Sequence, residues 1–458
     1  MNERPNVVEI DSPATPADVI ARWPAGKRLW ALVSASNQPR HSRARWSILA
    51  APTHVHETAA DAEDPLATFP LPDQGPGGSA GEHPPFAGGW IGCLAYELGG
   101  AIEPRAACPA RRGPSSAGGA SAPLMTWARC DRALVHDAHA GRWFVVGDDT
   151  DLRGLVLDGP GSMGDQDFRL ELPGMEGEAR AAYERAVART VAYIRDGDIY
   201  QANIAREIAG RFTGSTRAFF AELVRVSRPW YGAYLETPSG VIASASPELF
   251  LSLDASTRRV LTRPMKGTLA GEADPRVLER SDKDRAELNM IVDLMRNDLG
   301  RVCEFGSIRV DEERVIEPHG AAGGPDARGA GRGVLQAVAT VSGTLRAGLT
   351  LRDLIRATFP PGSVTGAPKI RAMQIIDELE GRPRGAYCGC IGYVSDRGDA
   401  SFSVAIRTAC IDPRREHITY QVGAGIVADS APNLEWQETQ VKARPLYGAA
   451  SAGHAGRS

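Results

Sequence analysis

The sequence predicts an α+β fold. Apolar runs follow one another across short turns, as antiparallel hairpins do, at residues 128–149, 239–254 and 386–411. Helical periodicity stands apart from these runs, at 178–198, 283–302, 349–359 and 433–446. A hydrophobic fraction of 43% and a charged fraction of 24% are those of a soluble globular protein.

Residues 29–36 and 45–51 carry the aromatic and aliphatic content of strands. The Gly/Pro-rich stretch 71–85 predicts a flexible loop, and 105–122, rich in Ala, Gly, Ser and Pro, a mobile one. Residues 86–99 join a Gly-Gly pair to an apolar run that should be buried. The 128–149 hairpin turns near Gly141. An N-terminal region is placed at 1–165, a catalytic region at 166–448 and a disordered tail at 449–458, already loosening from Tyr447. The first boundary is soft, because the two regions can share a sheet.

The catalytic region opens with a helix on which Tyr183, Val187, Val191 and Ile194 repeat at helical spacing, stopped by Gly197. A strand follows over 198–212, where Gln201 and Asn203 face one side; a polar pair on a strand is usually its solvent face. The 239–254 hairpin holds Ser246-Pro247-Glu248. Residues 319–333 form a low-complexity insertion and 334–345 a strand. Thr350 caps the next helix, and 360–381 runs from a Gly/Ser/Thr loop into a helix begun by Pro368 and ended by Gly381. Residues 386–395 and 400–411 read as paired strands, and a third strand carries Gly423, Ala424 and Gly425, where bare backbone could approach a carboxylate.

Several function classes are excluded. A net charge of -4 gives no basic field for nucleic acid. The start lacks the apolar core of a secretory signal, and no run of apolar residues is long enough to span a membrane. Seven scattered cysteines are not a disulfide framework and predict reduced thiols in the cytoplasm; Cys388 and Cys390 read as core residues on one strand face.

The chain has five lysines among 52 Lys+Arg, so a lysine is an exception that asks for a reason. Lys266, in the stretch 262–268 with Pro264 and Gly267, is either a surface lysine of a hairpin or an amine that can lose its proton and attack carbon. Asp284 and Glu287 stand at i,i+3 on one helix, and Glu435, Glu438 and Lys442 at i, i+3 and i+7 on another. Each pair alone reads as a solvated face; facing each other, they offer four oxygen donors of the kind Mg²⁺ prefers. Arg407 is a surface charge or a bidentate carboxylate anchor.

The segments GDIYQANIA, SPELF, RPMKGT, DRAELNMIVDLMRND, PPGSVTGAPK, YCGCIGY, SFSVAIRT, GAGIVADS and EWQETQVKAR together resemble the chorismate-utilising enzymes, over about residues 180–446. That family includes anthranilate, aminodeoxychorismate, isochorismate and salicylate synthases. The resemblance implies two antiparallel sheets packed together and flanked by helices, with the site between them. It implies Mg²⁺ on Glu287 and Glu438, assisted by Asp284 and Glu435. It implies chorismate carboxylates on Arg407, Tyr387 and the backbone of Gly423, Ala424 and Gly425, with Thr365, Thr268, Gln201 and Lys442 in the same pocket.

Two positions divide the family by chemistry. Water-adding members carry a lysine base where this chain has Gln201, a neutral amide that cannot serve as a base. PMKGT, with Asn203 upstream, resembles the aminodeoxychorismate pattern PIKGT, whereas anthranilate synthases typically carry PIAGT. The expectation is amination of chorismate through a covalent Lys266 adduct with Glu248 as general acid, for 4-aminobenzoate and folate synthesis, with anthranilate synthase component I or a non-catalytic chorismate-binding subunit as alternatives. Gln336 stands where relatives commonly carry a ring-contacting His, so acid chemistry falls to Glu248. No cysteine has the setting of a glutaminase nucleophile, which implies ammonia from a separate glutamine amidotransferase subunit.

Overall fold

In the strand Trp30–Val33, Ala31 and Val33 face one hydrophobic layer while Trp30 and Leu32 face another. Arg142–Val146 repeats the pattern, with Trp143 and Val145 on the first side and Phe144 and Val146 on the second. A strand apolar on both faces must be covered on both, and this dictates the layering. The computed structural model describes residues 7–35, 45–72, 84–106, 122–147, 149–157, 167–174, 177–271, 273–320 and 333–455. Most of the expected loops at 71–85 and 105–122 and of the insertion at 319–333 lies outside them.

Among the described residues two antiparallel sheets result. The larger, of 12 strands, runs Val7–Asp11, Arg142–Val146, Ala133–Asp137, Trp46–Ala50, Trp30–Val33, Tyr231–Thr237, Gly240–Ser246, Thr408–Asp412, His417–Ile426, Gln201–Gly214 and Gly366–Ala367, with Phe168–Glu171 also on Gln201–Gly214. The smaller, of 10 strands, runs Met265–Ala270, Val334–Thr344, Arg259–Arg263, Leu249–Asp254, Ala400–Val404, Cys390–Ser395, Gly89–Leu94, Met125–Cys130 and His54–Thr58, with Arg309–His319 on the far side of Val334–Thr344. Their facing sides share a core of Trp30, Ile48, Val135, Phe144 and Leu235 from the larger sheet against Ile91, Ala128 and Ile391 from the smaller. Each of the buried Ile, Val, Leu and Phe side chains among these stabilises the fold by roughly 1.5–3 kcal/mol.

Helices cover the outer faces. Pro16–Arg22, Thr216–Ser227 and the end of Pro432–Ala455 pack on the larger sheet. Glu178–Arg195, Asp282–Gly300, Leu351–Thr358 and Lys369–Glu380 pack around the smaller sheet and the start of Gln201–Gly214. Thr350 caps Leu351–Thr358 in a reciprocal box with Asp353, and Gly381 ends Lys369–Glu380 at φ 66°.

Strands from before and after residue 165 are neighbours in both sheets. Trp30–Val33 pairs with Tyr231–Thr237, and Gly89–Leu94 with Cys390–Ser395. The segment from Tyr447, expected to be disordered, continues Pro432–Ala455 as helix to Ala455, with Ala449 and Ala450 buried against the larger sheet's core.

Residues 239–254, read as a hairpin, and 400–411, read as one strand, instead change sheets midway. Residues 239–254 leave the larger sheet after Ser246 and enter the smaller at Leu249, turning at Pro247-Glu248. Residues 400–411 leave the smaller sheet after Val404 and enter the larger at Thr408, with Arg407 at φ 53°. The crossings are bonded to each other: Val404 N–H donates to Glu248 O, and Ala245 N–H to Arg407 O, both at 3.0 Å. Apolar content alone could not locate these corners, because the residues on either side are equally buried.

Candidate active site

Arg259–Arg263 and Met265–Ala270 lie end to end along Val334–Thr344, interrupted at Pro264. Lys266 stands opposite Ala337 and Thr268 opposite Gln336, so Gly267 is the extra residue of a bulge. Its φ is +72°, and a Cβ there would lie 2.9 Å from the Asp284 carboxylate. Only glycine fits both conditions. The bulge brings Lys266 to a cavity of about 200 Å³ between the sheets' ends and the helices Asp282–Gly300 and Pro432–Ala455.

Glu248 enters the same cavity from the first corner and is 3% exposed. Ser363 Oγ donates to Glu248 Oε1 at 2.5 Å, and the Met265 N–H also donates to this carboxylate. One residue thus ties the acid to the backbone that carries the lysine. Burial pushes Glu248 up to about 7, against the Ser363 bond and the Lys266 and Lys442 charges. Burial also lowers Lys266, aided by Lys442 and opposed by Glu287, Glu248 and Glu438. What surface Lys266 keeps faces the cavity.

The larger sheet supplies the opposite wall. Asn203 pairs with Gly425 and Ala205 with Gly423, so the side chains of Gln201 and Asn203 share a face with both glycines. That face is interior: Gln201 is 1% and Asn203 6% exposed. The hollows above the glycines are already filled. A Cβ on Gly425 would meet Gln201 Nε2 at 2.4 Å and Lys266 Nζ at 2.9 Å; one on Gly423 would meet Tyr387 Oη at 2.9 Å. Arg384 holds this wall. Its guanidinium donates to Asn203 O at 2.6 Å and Glu380 Oε1 at 2.5 Å and lies over the rings of Tyr96 and Tyr387.

The two helices bring Asp284, Glu287, Glu435 and Glu438 to the cavity, joined by Lys283 and Lys442. Lys442 Nζ is 2.7 Å from Glu438 Oε1 and donates to Gly423 O at 2.8 Å; Lys283 Nζ is 4.0 Å from Glu287 Oε1. Burial would raise Glu438, but Lys442, Lys266 and Lys283 together hold it below its usual value. Burial leaves Glu287 and Glu435 raised. The four are hard oxygen donors with no Cys or His on the cavity wall, a set that suits a hard divalent cation. Among the described residues, no three His, Cys, Asp or Glu side chains are yet gathered closely enough to hold an ion.

Of the residues proposed from sequence, Lys266, Glu248, Arg407, Tyr387, Gly423, Gly425, Lys442, Thr268, Asp284, Glu287, Glu435 and Glu438 border one cavity, as does Gln336. Three do not. Ala424 pairs with Ile204, and its methyl lies in the hydrophobic core. Thr365 turns its hydroxyl back to Pro361 O at 3.1 Å and accepts the Asn203 N–H on its carbonyl, so it joins loop to strand. Gln201 stands behind the wall, over Gly425. Sequence reasoning did not single out Ser363 and Lys283 as site residues. The scarcity of lysine was the available signal for Lys283: Lys266, Lys283 and Lys442 all border this cavity.

Residues 32–448 match the family model for chorismate binding enzymes. Aminodeoxychorismate synthase component 1 of Klebsiella aerogenes is 39% identical over 365 residues, 78% of this chain and 76% of that protein. Anthranilate synthase component 1 of Aquifex aeolicus is 40% identical over 271 residues, 58% of this chain and 52% of that protein. The crystal structure of anthranilate synthase component I from Streptococcus pneumoniae TIGR4 superposes with a TM-score of 0.71 at 29% identity, covering 88% of this chain and 92% of that one. The corner-held acid, the bulge-held lysine and the facing carboxylates therefore belong to a member of the chorismate-binding enzyme family.

Proposed function

We propose that the protein is an aminodeoxychorismate synthase component that converts chorismate and ammonia to 4-amino-4-deoxychorismate and water. The observation that carries this reading is the pairing of Lys266 with Glu248. Burial works against charge on both, lowering the Lys266 amine and pushing the Glu248 carboxyl up to about 7. Nucleophilic displacement of a hydroxyl needs a neutral amine and a protonated carboxyl.

The Lys266 amine attacks C2 of the ring. The ring double bond shifts, the C4–O bond breaks, and the hydroxyl leaves as water with the proton of Glu248. Ammonia then adds at C4, the double bond shifts back, and the C2–N bond to Lys266 breaks. Glu248 accepts a proton from the added ammonia, so both groups return to their starting states. Arg407 and Tyr387 border the cavity and would bind a substrate carboxylate, and Gln336 can donate a hydrogen bond but no proton. Asp284, Glu287, Glu435 and Glu438 would hold Mg²⁺, which when bound neutralises the ring carboxylate. Gln201 supplies no base for water, which favours ammonia as the incoming group.

Ammonia would come from a separate glutamine amidotransferase subunit, and the product would lead to 4-aminobenzoate and folate. A reducing cytoplasm is in keeping with the free thiols of Cys93, Cys130, Cys303, Cys388, Cys390 and Cys410. No helix among the described residues is long and apolar enough to cross a membrane.

The test is incubation with chorismate, Mg²⁺ and an ammonium salt, with the product identified by mass. 4-Amino-4-deoxychorismate is expected. Fluorescent anthranilate would assign the other amination, and C4 amination at full rate by Lys266→Ala would remove the covalent route.

A further inference from the structure

Lys283 lies where helix physics disfavours a lysine. Ser281 caps Asp282–Gly300, so Lys283 sits in the first turn, at the positive end of the helix dipole, where acids belong. Its partner Glu287 follows it at i+4, the weaker order for such a pair, whereas Glu438 and Lys442 stand in the stronger order. Helix stability therefore does not account for this lysine, one of five among 52 Lys+Arg.

Its surroundings do. Lys283 borders the cavity with all four carboxylates of the two helices, and its charge acts on Glu287, Glu435 and Glu438 alike. The two lysines at this cluster are held differently. Lys442 makes two short contacts, one of them to backbone. Among the described residues Lys283 makes none within hydrogen-bond distance and stands 4.0 Å from its nearest carboxylate oxygen, and its side chain is 56% exposed. One ammonium is bolted to the cluster and the other only leans on it.

We propose that Lys283 is a tethered counter-ion that occupies the acidic cluster when no divalent cation does, and that a divalent cation must displace it to bind. The inference rests on the reading of these four carboxylates as a divalent-cation site. Without the ion, Lys283 offsets repulsion between the helices. With the ion, its charge is expelled toward the cavity mouth. It acts through the carboxylates and is a positioning residue.

This predicts changes of opposite sign from one substitution. Lys283→Met removes a competitor for the ion and a counter-charge from the empty site. Mn²⁺ binding to the full chain without chorismate, measured by calorimetry and by the loss of the free-ion EPR signal, should tighten about three- to tenfold. The melting temperature in EDTA should fall by about 1–2 °C. Lys283→Arg should keep the wild-type affinity. A purely structural role for Lys283 would weaken both quantities together. Mn²⁺ binding to wild type with unchanged or weaker binding to Lys283→Met overturns the displacement alone. Absence of Mn²⁺ binding to both proteins overturns the metal site and the displacement with it.

Discussion

The Ser363 hydroxyl donates to Glu248 Oε1 at 2.5 Å and favours the charged form of an acid that burial keeps near neutrality. Ser363→Ala removes the one side-chain hydrogen bond that lowers this group, so Glu248 should titrate higher. A bond to a charged group contributes about 1.5–3 kcal/mol, or about one to two pH units. The alkaline limb of the kcat/KM profile should move up by that amount, with kcat at the optimum reduced because the carboxyl loses its orientation. A profile that keeps its alkaline limb in place would mean that another group sets it.

Glu248 also ties stability to pH. Its folded value is about 7 against an ordinary 4.5, so the native state holds this proton more tightly than the unfolded chain. The contribution is complete below about pH 4.5 and is lost as pH rises through about 7. Glu248→Gln keeps the shape without the charge. It should match wild type in stability near pH 4.5 and exceed it at pH 8.5, by on the order of 3 kcal/mol, while abolishing turnover. Denaturant melts at the two pH values test this, and an equal difference at both would refute the linkage.

How much of this site is legible from the chain depends on which kind of neighbour holds each residue. The carboxylates and Lys442 were readable because helical spacing is local: i, i+3 and i+7 share a face wherever the helix lies. The burial of Gln201 and Asn203 was not. Their strand looks amphipathic, and what covers them is Tyr387 and Lys266, brought across glycines far away in sequence. Glu248 and Arg407 stood out by motif, yet the reason for their position, two bonded crossings between sheets, has no local signature. Ser363 was passed over because one serine in a Gly/Ser/Thr loop differs from its neighbours only through a partner 115 residues away.

Arg384 and Glu380 test the wall beneath the proposed substrate site. Both are 1% exposed and lie 2.5 Å apart. Arg384→Leu leaves a buried carboxylate without its cation and frees the carbonyls of Asn203 and Val364. Breaking one side of such a pair costs about 3–5 kcal/mol, far more than removing an exposed pair. Arg384→Leu with Glu380→Leu removes both charges and should recover most of that loss. The double variant should still bind substrate poorly, because Tyr387 and Asn203 lose the group that fixes them. Chemical denaturation of the single and double variants, with KM measured on the double, separates the two effects.

Gly425 sets the space in which Lys266 works. A methyl group there would stand 2.9 Å from Lys266 Nζ and 2.4 Å from Gln201 Nε2, and both are ends of flexible side chains that can give way. Gly425 lacks the positive φ that would itself exclude alanine. Gly425→Ala should therefore fold with a melting temperature close to wild type while pushing the amine aside. A displacement of about 1 Å at a reacting atom costs on the order of 100-fold in rate. The loss should fall on kcat, since the carboxylate anchor proposed at Arg407 and the acidic cluster are not the groups displaced. Two measurements check it: steady-state kinetics with saturating ammonium, and the yield of the proposed Lys266 adduct after rapid quench, which should fall in parallel. If kcat falls while adduct yield holds, the methyl group acts on ammonia addition rather than on the lysine.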